Sequence, residues 1–197
     1  MSATNNARPR GRPRRFDPDQ AVAAAQRMFH ARGYDAVSVA DVTDALGINP
    51  PSFYAAFGNK AGLYTRVLDR YANTCAIPLP ELLRADRPVA ASLAAVLEEA
   101  ARRYVADPAA AGCLVLEGTR CNDREARDAA RVFHAAAEDM IRSYIAARHP
   151  EEAERLADFV TTTMAGLSAR ARDGLGLGRL LATVRLAGLA IAQALPA

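Results

Sequence analysis

The spacing of hydrophobic residues after residue 16 predicts a chain built almost entirely from α-helices. Behind Asp17-Pro18, apolar residues that include Val22, Ala25 and Phe29 recur every three or four positions, as they do on one face of a helix. No segment alternates β-branched and polar residues over the length of a strand. Proline and glycine fall between the periodic segments and mark their ends. We therefore expect an all-α protein of about nine helices.

The clearest helix boundaries lie in the first 60 residues. Asp17, Ser38 and Asn49 each stand where a helix N-cap is expected, and a proline directly follows the first and the last of them. A glycine stands where each of these helices should end: Gly33, Gly47 and Gly58. The pattern predicts three short helices joined by tight turns between residues 16 and 60.

The second and third of these helices form a helix-turn-helix, the arrangement in which the later helix enters a DNA groove. We call residues 50–57 the reading helix. Phe53 and Phe57 are four residues apart, so they share one face, which we expect to be core. Serine, tyrosine and alanine side chains remain for the opposite face, which suits close approach to a major groove. A tight helical corner without any ligand is the alternative interpretation.

Residues 17–64 resemble the DNA-binding domain of the TetR family of transcriptional regulators, without gaps, over about 48 of the 197 residues. The residues that carry the resemblance are Ala25, Phe29, Gly33, Tyr34, Ser38, Val39, Asp41, Val42, Leu46, Gly47, Ile48, Ser52, Phe53, Tyr54, Phe57, Asn59, Lys60 and Leu63. The resemblance implies double-stranded DNA as a partner, a homodimer, and control by an unknown small-molecule effector. A repressor is the form of regulator that we expect.

The resemblance also implies that DNA contacts come from the start of the second helix, the reading helix and the lysine that opens the fourth helix. By position, these contact residues are Ser38, Val39, Pro50, Pro51, Ser52, Tyr54, Ala56 and Lys60. The reading helix is poor in hydrogen-bond donors, because no Arg, Lys, Gln or Asn lies between residues 50 and 57. Base readout would then rest on the Ser52 hydroxyl, on methyl contacts and on DNA shape.

Charge is concentrated at the N-terminus of the chain. The net charge of +3 arises within residues 1–60, while residues 61–197 carry equal numbers of basic and acidic side chains. Residues 1–15 hold five arginines and no acid, and Pro9-Arg10-Gly11-Arg12-Pro13 resembles the core of an AT-hook. We expect a flexible basic arm that reaches a minor groove through Arg10, Arg12 and Arg14. A solvated tail that only aids solubility is the alternative.

These features divide the chain into the arm at 1–15, a helix-turn-helix DNA-binding domain at 16–60, and a helical regulatory and dimerisation domain at 61–197. The last two predicted helices mix large and small apolar residues, which permits close helix crossing. The resemblance implies that these helices and their counterparts from a second copy form a four-helix interface. The residues expected there are Leu156, Phe159, Val160, Thr163, Leu167, Leu181, Val184, Gly188 and Ile191.

A ligand pocket is expected among the helices between residues 59 and 148. Its expected lining residues, most of which would also suit a core, are Tyr71, Tyr104, Cys113, Leu114, Glu117, Phe133 and Met164. Glu117 could instead pair with Arg120. The pattern behind Pro108 predicts one helix to about residue 120, which would separate Cys113 from Cys121 by about 12 Å, too far for a disulfide. Either thiol could sense an oxidant or electrophile, but a buried, inert cysteine is the simpler interpretation.

Composition argues against several other classes of protein. No apolar stretch follows the N-terminal arginines, so neither a secretory signal nor a membrane partner is expected. Three widely spaced cysteines form no disulfide or zinc framework, which favours the cytoplasm. Walker, dinucleotide-binding and serine-hydrolase motifs are missing, and no metal-ligand spacing relates the histidines. We expect no enzyme, no metal and no cofactor. The alternatives are an effector-independent architectural DNA-binding protein, and a helical enzyme or carrier with an incidental basic tail.

Overall fold

The computed structural model describes residues 17–195, and over that range the chain forms ten α-helices and no strand. The helices are α1 (Pro18–Arg32), α2 (Val39–Leu46), α3 (Pro50–Phe57), α4 (Lys60–Thr74), α5 (Leu79–Leu82), α6 (Val89–Tyr104), α7 (Leu114–Gly118), α8 (Arg124–Ala146), α9 (Ala153–Arg172) and α10 (Leu177–Ala194). Short 3₁₀ turns lie at Pro108–Ala110 and Pro150–Glu152. The all-α prediction is confirmed. About nine helices were expected, and nine of the described helices are longer than a single turn, while α5 is one turn of four residues.

The predicted caps form the boundaries of the first three helices. The Asp17 carboxylate accepts from the amide of Asp19 at 3.0 Å. Ser38 and Asp41 form a complete capping box, in which each side chain accepts a hydrogen bond from the other residue's backbone amide. Asn49 caps the reading helix through the amide of Ser52 at 2.9 Å. Local hydrogen bonds therefore fix where each helix starts, before any long-range packing is considered.

Two hydrophobic cores hold the helices together. The first, the head core, joins α1–α4 to buried residues of α7 and α8, and at its centre Phe29 and Tyr64 lie edge to face with ring centroids 5.2 Å apart. The second, the body core, joins α5 and α6 to α8, α9 and α10. Because α4 belongs to the head core along most of its length, packing continues without a break across residue 60.

The single helix predicted behind Pro108 is wrong. A 3₁₀ turn ends at Ala110, residues 111–113 are extended or left-handed, and α7 begins only at Leu114. We call residues 111–113 the strap. Gly112 has a φ of +82°, which breaks a helix, and its amide donates to the carbonyl of Tyr104 at 2.8 Å. The chain therefore doubles back onto the end of α6, and Cys113 and Cys121 do not share a helix.

The last helix, α10, is long and apolar enough to cross a membrane by length and composition alone. Its buried residues Leu180, Val184, Ala187 and Ile191 belong to the body core, where α10 packs chiefly against α6. A core helix of this kind passes the same test of length and hydropathy. Packing within the chain therefore accounts for one apolar face of α10 but leaves its other face open.

Candidate nucleic-acid interface and ligand cavity

The reading helix divides into a buried and an exposed face, as its sequence predicts. Phe53 is fully buried in the head core and Phe57 nearly so, with their ring centroids 5.4 Å apart. On the opposite side, Pro50, Pro51 and Ala55 are exposed, while Ser52 and Ala56 are half-buried. The helix therefore offers DNA a low surface of small side chains, anchored from behind by two aromatic rings.

Tyr54 is the one large side chain on the exposed face of the reading helix. Its side chain is 51% exposed, and its ring stands edge-on against Phe53 with centroids 5.4 Å apart and an interplanar angle of 89°. Contact with a buried ring restricts the orientation of an otherwise mobile side chain. Tyr54 therefore projects a hydroxyl group toward solvent from a supported position.

Two of the residues predicted to contact DNA, both at the start of α2, already have partners within the chain. The Ser38 hydroxyl donates to Asp41 at 2.8 Å and accepts from the Asp41 amide at 3.1 Å. Val39 is half-buried and packs against the head core. Contact of either residue with DNA stays a prediction, and any contact of Ser38 must share a hydroxyl that already caps the helix.

Lys60, the only lysine in the chain, fixes the loop between α1 and α2. Its ammonium donates to the carbonyls of Tyr34 at 2.9 Å and Val37 at 2.8 Å. The same group lies 3.9 Å from the centroid of the Tyr34 ring, at a cation–π distance. Partial burial lowers the pKa of Lys60 from its usual range. The sequence suggested only that Lys60 contacts a DNA phosphate. That contact stays a prediction, and one ammonium N–H remains to make it.

The head, by which we mean residues 17–60, carries few basic side chains of its own. Residues 17–60 carry three basic side chains and five aspartates. The predicted arm contacts Arg10, Arg12 and Arg14 precede residue 17 and so lie outside the described residues. Electrostatic attraction of the head alone to phosphate is therefore weak, and most of the positive charge next to it belongs to residues 1–15.

A cavity of about 360 Å³ lies among α4–α9 in the body. Its walls come mainly from α4, α5, α7 and α8, with Tyr104 of α6, Cys113 of the strap and Met164 of α9. Five of the seven predicted lining residues border it: Tyr71, Tyr104, Cys113, Phe133 and Met164. The volume falls at the lower end of the range for small-molecule sites.

The other two predicted lining residues lie elsewhere. Leu114 is 1% exposed and packs in the head core, with its carbonyl accepting from Tyr64 at 3.3 Å. Glu117 faces away from the cavity and lies 3.7 Å from Arg172, instead of pairing with Arg120. Both were expected only because they lie in the region between residues 59 and 148, and neither borders the cavity.

Burial favours the neutral form of three polar groups on the cavity wall. Burial raises the pKa of Tyr71 and Tyr104 far above the ordinary value of 10. Burial also raises the pKa of the Cys113 thiol above its ordinary value of 9. A raised pKa means a smaller thiolate fraction at neutral pH. All three cysteines are free, and the described residues contain no cluster of side chains that could hold a metal ion.

The strap connects the cavity to the DNA-binding head. Its Gly112 carbonyl accepts from His30 Nε2 of α1 at 3.1 Å, and its Cys113 amide donates to Ser168 of α9 at 2.9 Å. Arg172 of α9 donates to the carbonyls of both His30 and Ala111, at 3.2 and 3.0 Å. No sequence signal pointed to this junction, because its bonds join residues as far as 142 positions apart.

His30 is also in contact with the cavity wall itself. Its ring lies edge-on against Tyr71 of α4, with centroids 5.5 Å apart. Burial lowers the pKa of His30 below its ordinary value of 6.5, so the imidazole is neutral near pH 7. A single residue of α1 therefore touches both the strap and an aromatic residue that lines the cavity.

Most of the residues that the resemblance placed in a dimer interface are buried inside one chain. Leu156, Val160, Leu167, Val184 and Ile191 are at most 5% exposed and belong to the body core. Leu181 packs against the same core, Thr163 bonds to the carbonyl of Phe159, and a methyl group at Gly188 would lie 3.6 Å from Ala94 of α6. Gly188 therefore lies on the side of α10 that faces α6, where a methyl group would make an ordinary contact.

A different apolar face of the last two helices is open. Leu186 and Leu189 are each 69% exposed, and Phe159 is 39% exposed. Exposed neighbours with the same helical spacing extend this face along both helices. We call the whole set the apolar seam: Phe159, Thr162, Gly166, Ala182, Leu186, Leu189 and Ala190.

The capped head with its exposed reading face, joined to an all-helical body, defines a helix-turn-helix DNA-binding regulator. Residues 21–67 match the family described as bacterial regulatory proteins, tetR family. The chain is 56% identical over 191 residues to the HTH-type transcriptional repressor BdcR of Escherichia coli K12, with 97% of each chain covered. The chain belongs to the TetR family.

Other members of the family are similar over most of the chain. The HTH-type transcriptional repressor ComR of Escherichia coli K12 is 31% identical over 183 residues, with 87% of each chain covered. Among solved structures, a cysteine mutant of the TetR family transcriptional regulator CifR, complexed with 26-bp double-strand operator DNA, is 33% identical with a TM-score of 0.81. That similarity covers 94% of this chain and 100% of the CifR chain.

Proposed function

We propose that the protein is a cytoplasmic transcriptional repressor that binds an inverted-repeat operator as a homodimer and releases it when a small molecule binds. The observation that carries the proposal is the reading helix, whose small exposed side chains and projecting Tyr54 are anchored by Phe53 and Phe57. The similarity to the repressor BdcR and to operator-bound CifR, over nearly the whole chain, supports it.

The N-terminal arm supplies the charge that the head lacks. A head with five aspartates and three basic side chains would gain little from phosphate neutralisation alone. Arg10, Arg12 and Arg14 flank a glycine and a proline in the pattern that suits a narrow minor groove. With few donors on the reading helix, this arm contributes a large share of the affinity and, through groove width, some of the specificity.

The apolar seam provides the surface for a second copy. Exposed leucine, phenylalanine and alanine side chains at helical spacing on α9 and α10 are costly to leave in water. Two copies that pair their seams form a bundle from α9, α10 and their counterparts, which hides these side chains and sets the spacing of the two reading helices. The seam takes the place of the buried residues that the sequence suggested.

Effector control follows from the contacts between the cavity and α1. His30 bonds to the strap and packs on the ring of Tyr71. A ligand that displaces either of them therefore changes the position of His30. A second connection joins the loop before α2 to the loop before α8, where Asp35 accepts from the amide of Asn122 at 3.0 Å. The bound ligand favours a dimer whose reading helices are wrongly spaced, so the affinity for DNA falls.

Selection of bound fragments from genomic DNA, followed by footprinting, tests the proposal. We expect protection of a short inverted repeat with half-sites one helical turn or a small multiple of it apart. Compounds that fill the cavity should weaken that footprint. Uniform binding to all fragments without a protected repeat would instead favour an architectural protein, and no DNA binding at low salt would favour a helical enzyme or carrier.

Matched tyrosine variants test the reading face directly. Tyr54→Phe removes only a hydroxyl at the proposed interface and should weaken operator binding by several-fold, as expected for one lost phosphate hydrogen bond. Tyr144→Phe removes a hydroxyl that bonds to the Arg84 carbonyl in the body and should leave operator affinity unchanged. Equal affinities of both variants and the wild type would place Tyr54 outside the interface.

A further inference from the structure

Tyr104, one of the residues that line the cavity in the body, carries a buried hydroxyl group without a hydrogen-bond partner. The Tyr104 side chain is 2% exposed, and its hydroxyl has no hydrogen-bond partner. The Cys113 thiol lies close to this hydroxyl but not at hydrogen-bonding geometry, and sulfur is a weak acceptor in any case. Unpartnered buried hydroxyls are uncommon because each loses the hydrogen bonds that it would make in water.

This hydroxyl differs from the other unpartnered polar atoms in the part of the chain that the structure describes. Those atoms are Gln26 Oε1 and Ser92 Oγ, and neither residue borders the cavity. Tyr104 borders it, and burial keeps its phenol protonated, so the group can donate a hydrogen bond but carries no charge. A donor that lacks a protein acceptor and borders an open cavity is suited to an acceptor on a ligand.

The charged side chains on the cavity wall are already paired. Arg103 forms a salt bridge with Glu99 and also donates to the carbonyl of Cys75. Glu138 lies 3.5 Å from Arg142 and 3.9 Å from His134. No charged group of the described wall is therefore left to neutralise a ligand's charge, and burying an unpaired charge is unfavourable.

The size of the cavity limits the ligand further. A volume of about 360 Å³ corresponds to roughly a dozen water-sized groups. Most of its remaining wall is alanine, leucine, isoleucine, valine, methionine and phenylalanine. Such a wall favours an apolar molecule, which gains by leaving water.

We propose that the cavity binds a small, neutral, mainly apolar molecule with one hydrogen-bond-accepting oxygen, and that the Tyr104 hydroxyl donates to that oxygen. Ketones, esters and lactones are the chemical class that this arrangement recognises. The proposal names the effector class for the site described above and so rests on the proposed function only for its consequence on DNA binding.

Three probes with the same number of non-hydrogen atoms separate the contributions of shape, acceptor and charge. Acetophenone carries the carbonyl, α-methylstyrene replaces that carbonyl with an apolar isostere, and benzoate carries a negative charge. Titration calorimetry or ligand-observed NMR on the full chain should rank acetophenone first. We expect its affinity to exceed that of α-methylstyrene by roughly fivefold to tenfold, the effect of one neutral hydrogen bond.

The variant Tyr104→Phe tests the assigned donor. It removes a hydroxyl that has no protein partner, so the variant should fold as well as the wild type and should lose the preference for acetophenone over α-methylstyrene. Tyr64→Phe is the matched control, because Tyr64 is also buried but bonds to the Leu114 carbonyl and does not border the cavity. That variant should keep the preference.

Other outcomes would overturn the proposal. An unchanged preference in Tyr104→Phe would remove Tyr104 as the donor, and tightest binding of benzoate would show an anion site instead. Failure of all three probes to bind would show that the cavity does not accept this class. Operator binding by the unliganded chain, measured separately, distinguishes these failures from a failure of the proposed function.

Discussion

At the scale of single residues, the corner between α3 and α4 shows how tightly the reading helix is fixed. Gly58 ends α3 with a φ of +73°, and Asn59 then caps α4 by accepting from the amide of Gly62 at 2.6 Å. The side-chain Nδ2 of Asn59 also donates to the carboxylate of Glu125 of α8 at 3.2 Å. Each residue of the corner has a distinct bond, so the direction of α4 relative to α3 is set locally.

Gly62 should be the residue of this corner that is least tolerant of substitution. A methyl group there would lie 2.3 Å from the carbonyl oxygen of Phe57, which is backbone and cannot rotate away. We expect Gly62→Ala to lower the free energy of unfolding by about 1–3 kcal/mol. Gly178→Ala, in the first turn of α10 with nothing within 4 Å, should be neutral or stabilising by up to about 1 kcal/mol. Urea unfolding of the two variants compares them, and equal stabilities would refute the predicted clash.

His30 should make folding stability depend on pH. Its pKa is lowered in the folded protein because burial disfavours the charged imidazolium. As the pH falls below the ordinary value of 6.5, the unfolded chain takes up a proton at His30 before the folded chain does. The contribution of His30 to stability is therefore complete above that pH and is lost as the pH falls toward the folded pKa.

The variant His30→Gln isolates this effect from the other histidines. We expect the wild type to lose more unfolding free energy than the variant between about pH 7.5 and about pH 5.5. Because His134 and His149 are present in both chains, their contributions cancel in the difference. Identical losses in the two proteins would mean that His30 titrates equally in the folded and unfolded states.

At the scale of elements, the structure separates what local sequence determines from what it does not. The N-caps at Ser38 and Asn49 were predictable because cap and amide lie three residues apart. The break at the strap was not, although Gly112 is present in the sequence, because a glycine inside an alanine-rich segment is compatible with a helix. What fixes the break is the set of bonds from His30, Ser168 and Arg172, which only the tertiary fold brings together.

Two glycines with nearly the same backbone conformation provide a test of the strap. Gly112 and Gly174 have φ values of +82° and +83°, but a methyl group at Gly112 would lie 2.8 Å from Arg172 Cγ, whereas one at Gly174 meets nothing within 4 Å. Both alanine variants should lose about 1–2 kcal/mol from left-handed strain. Gly112→Ala should lose about 1 kcal/mol more and should also weaken effector-dependent DNA release.

Denaturant unfolding and operator release assays on both variants decide the point. Gly174→Ala should keep the full effector response, because its residue contacts nothing in the strap. If Gly112→Ala also keeps that response, the strap does not connect the cavity with the head.

At the scale of the whole molecule, the sequence suggested dimer contacts at residues of α9 and α10 that the fold buries inside one chain. The periodicity of α9 and α10 shows which residues share a face, yet both faces of α10 are apolar. Which face packs on α6 depends on the contacts between the two helices in the folded chain, and a one-dimensional pattern cannot show them. Five of the seven residues named for a pocket do border the cavity, and three of the five are aromatic.

The apolar seam should control both dimer formation and DNA binding. We expect Leu186→Glu with Leu189→Glu to give a monomer in sedimentation velocity experiments, since two charges would oppose the burial of this face. Operator affinity should fall by roughly 100-fold, because two reading helices would no longer bind as one unit. Val132→Glu on α8 is the control, since Val132 is 68% exposed but lies outside the seam. It should remain dimeric, and a monomeric Val132→Glu would move the interface to α8.

The two hydrogen bonds that the Lys60 ammonium donates to backbone carbonyls have a consequence for proteolysis. Since the chain has one lysine, a lysine-specific protease can cut it only once, after residue 60, which releases the arm and α1–α3 from the remaining helices. The two carbonyl bonds to this ammonium keep the site from entering a protease until the corner opens. The rate of that single cut therefore reports how often the corner between α3 and α4 opens, and its dependence on operator DNA or on a cavity ligand can be measured on the unmodified protein.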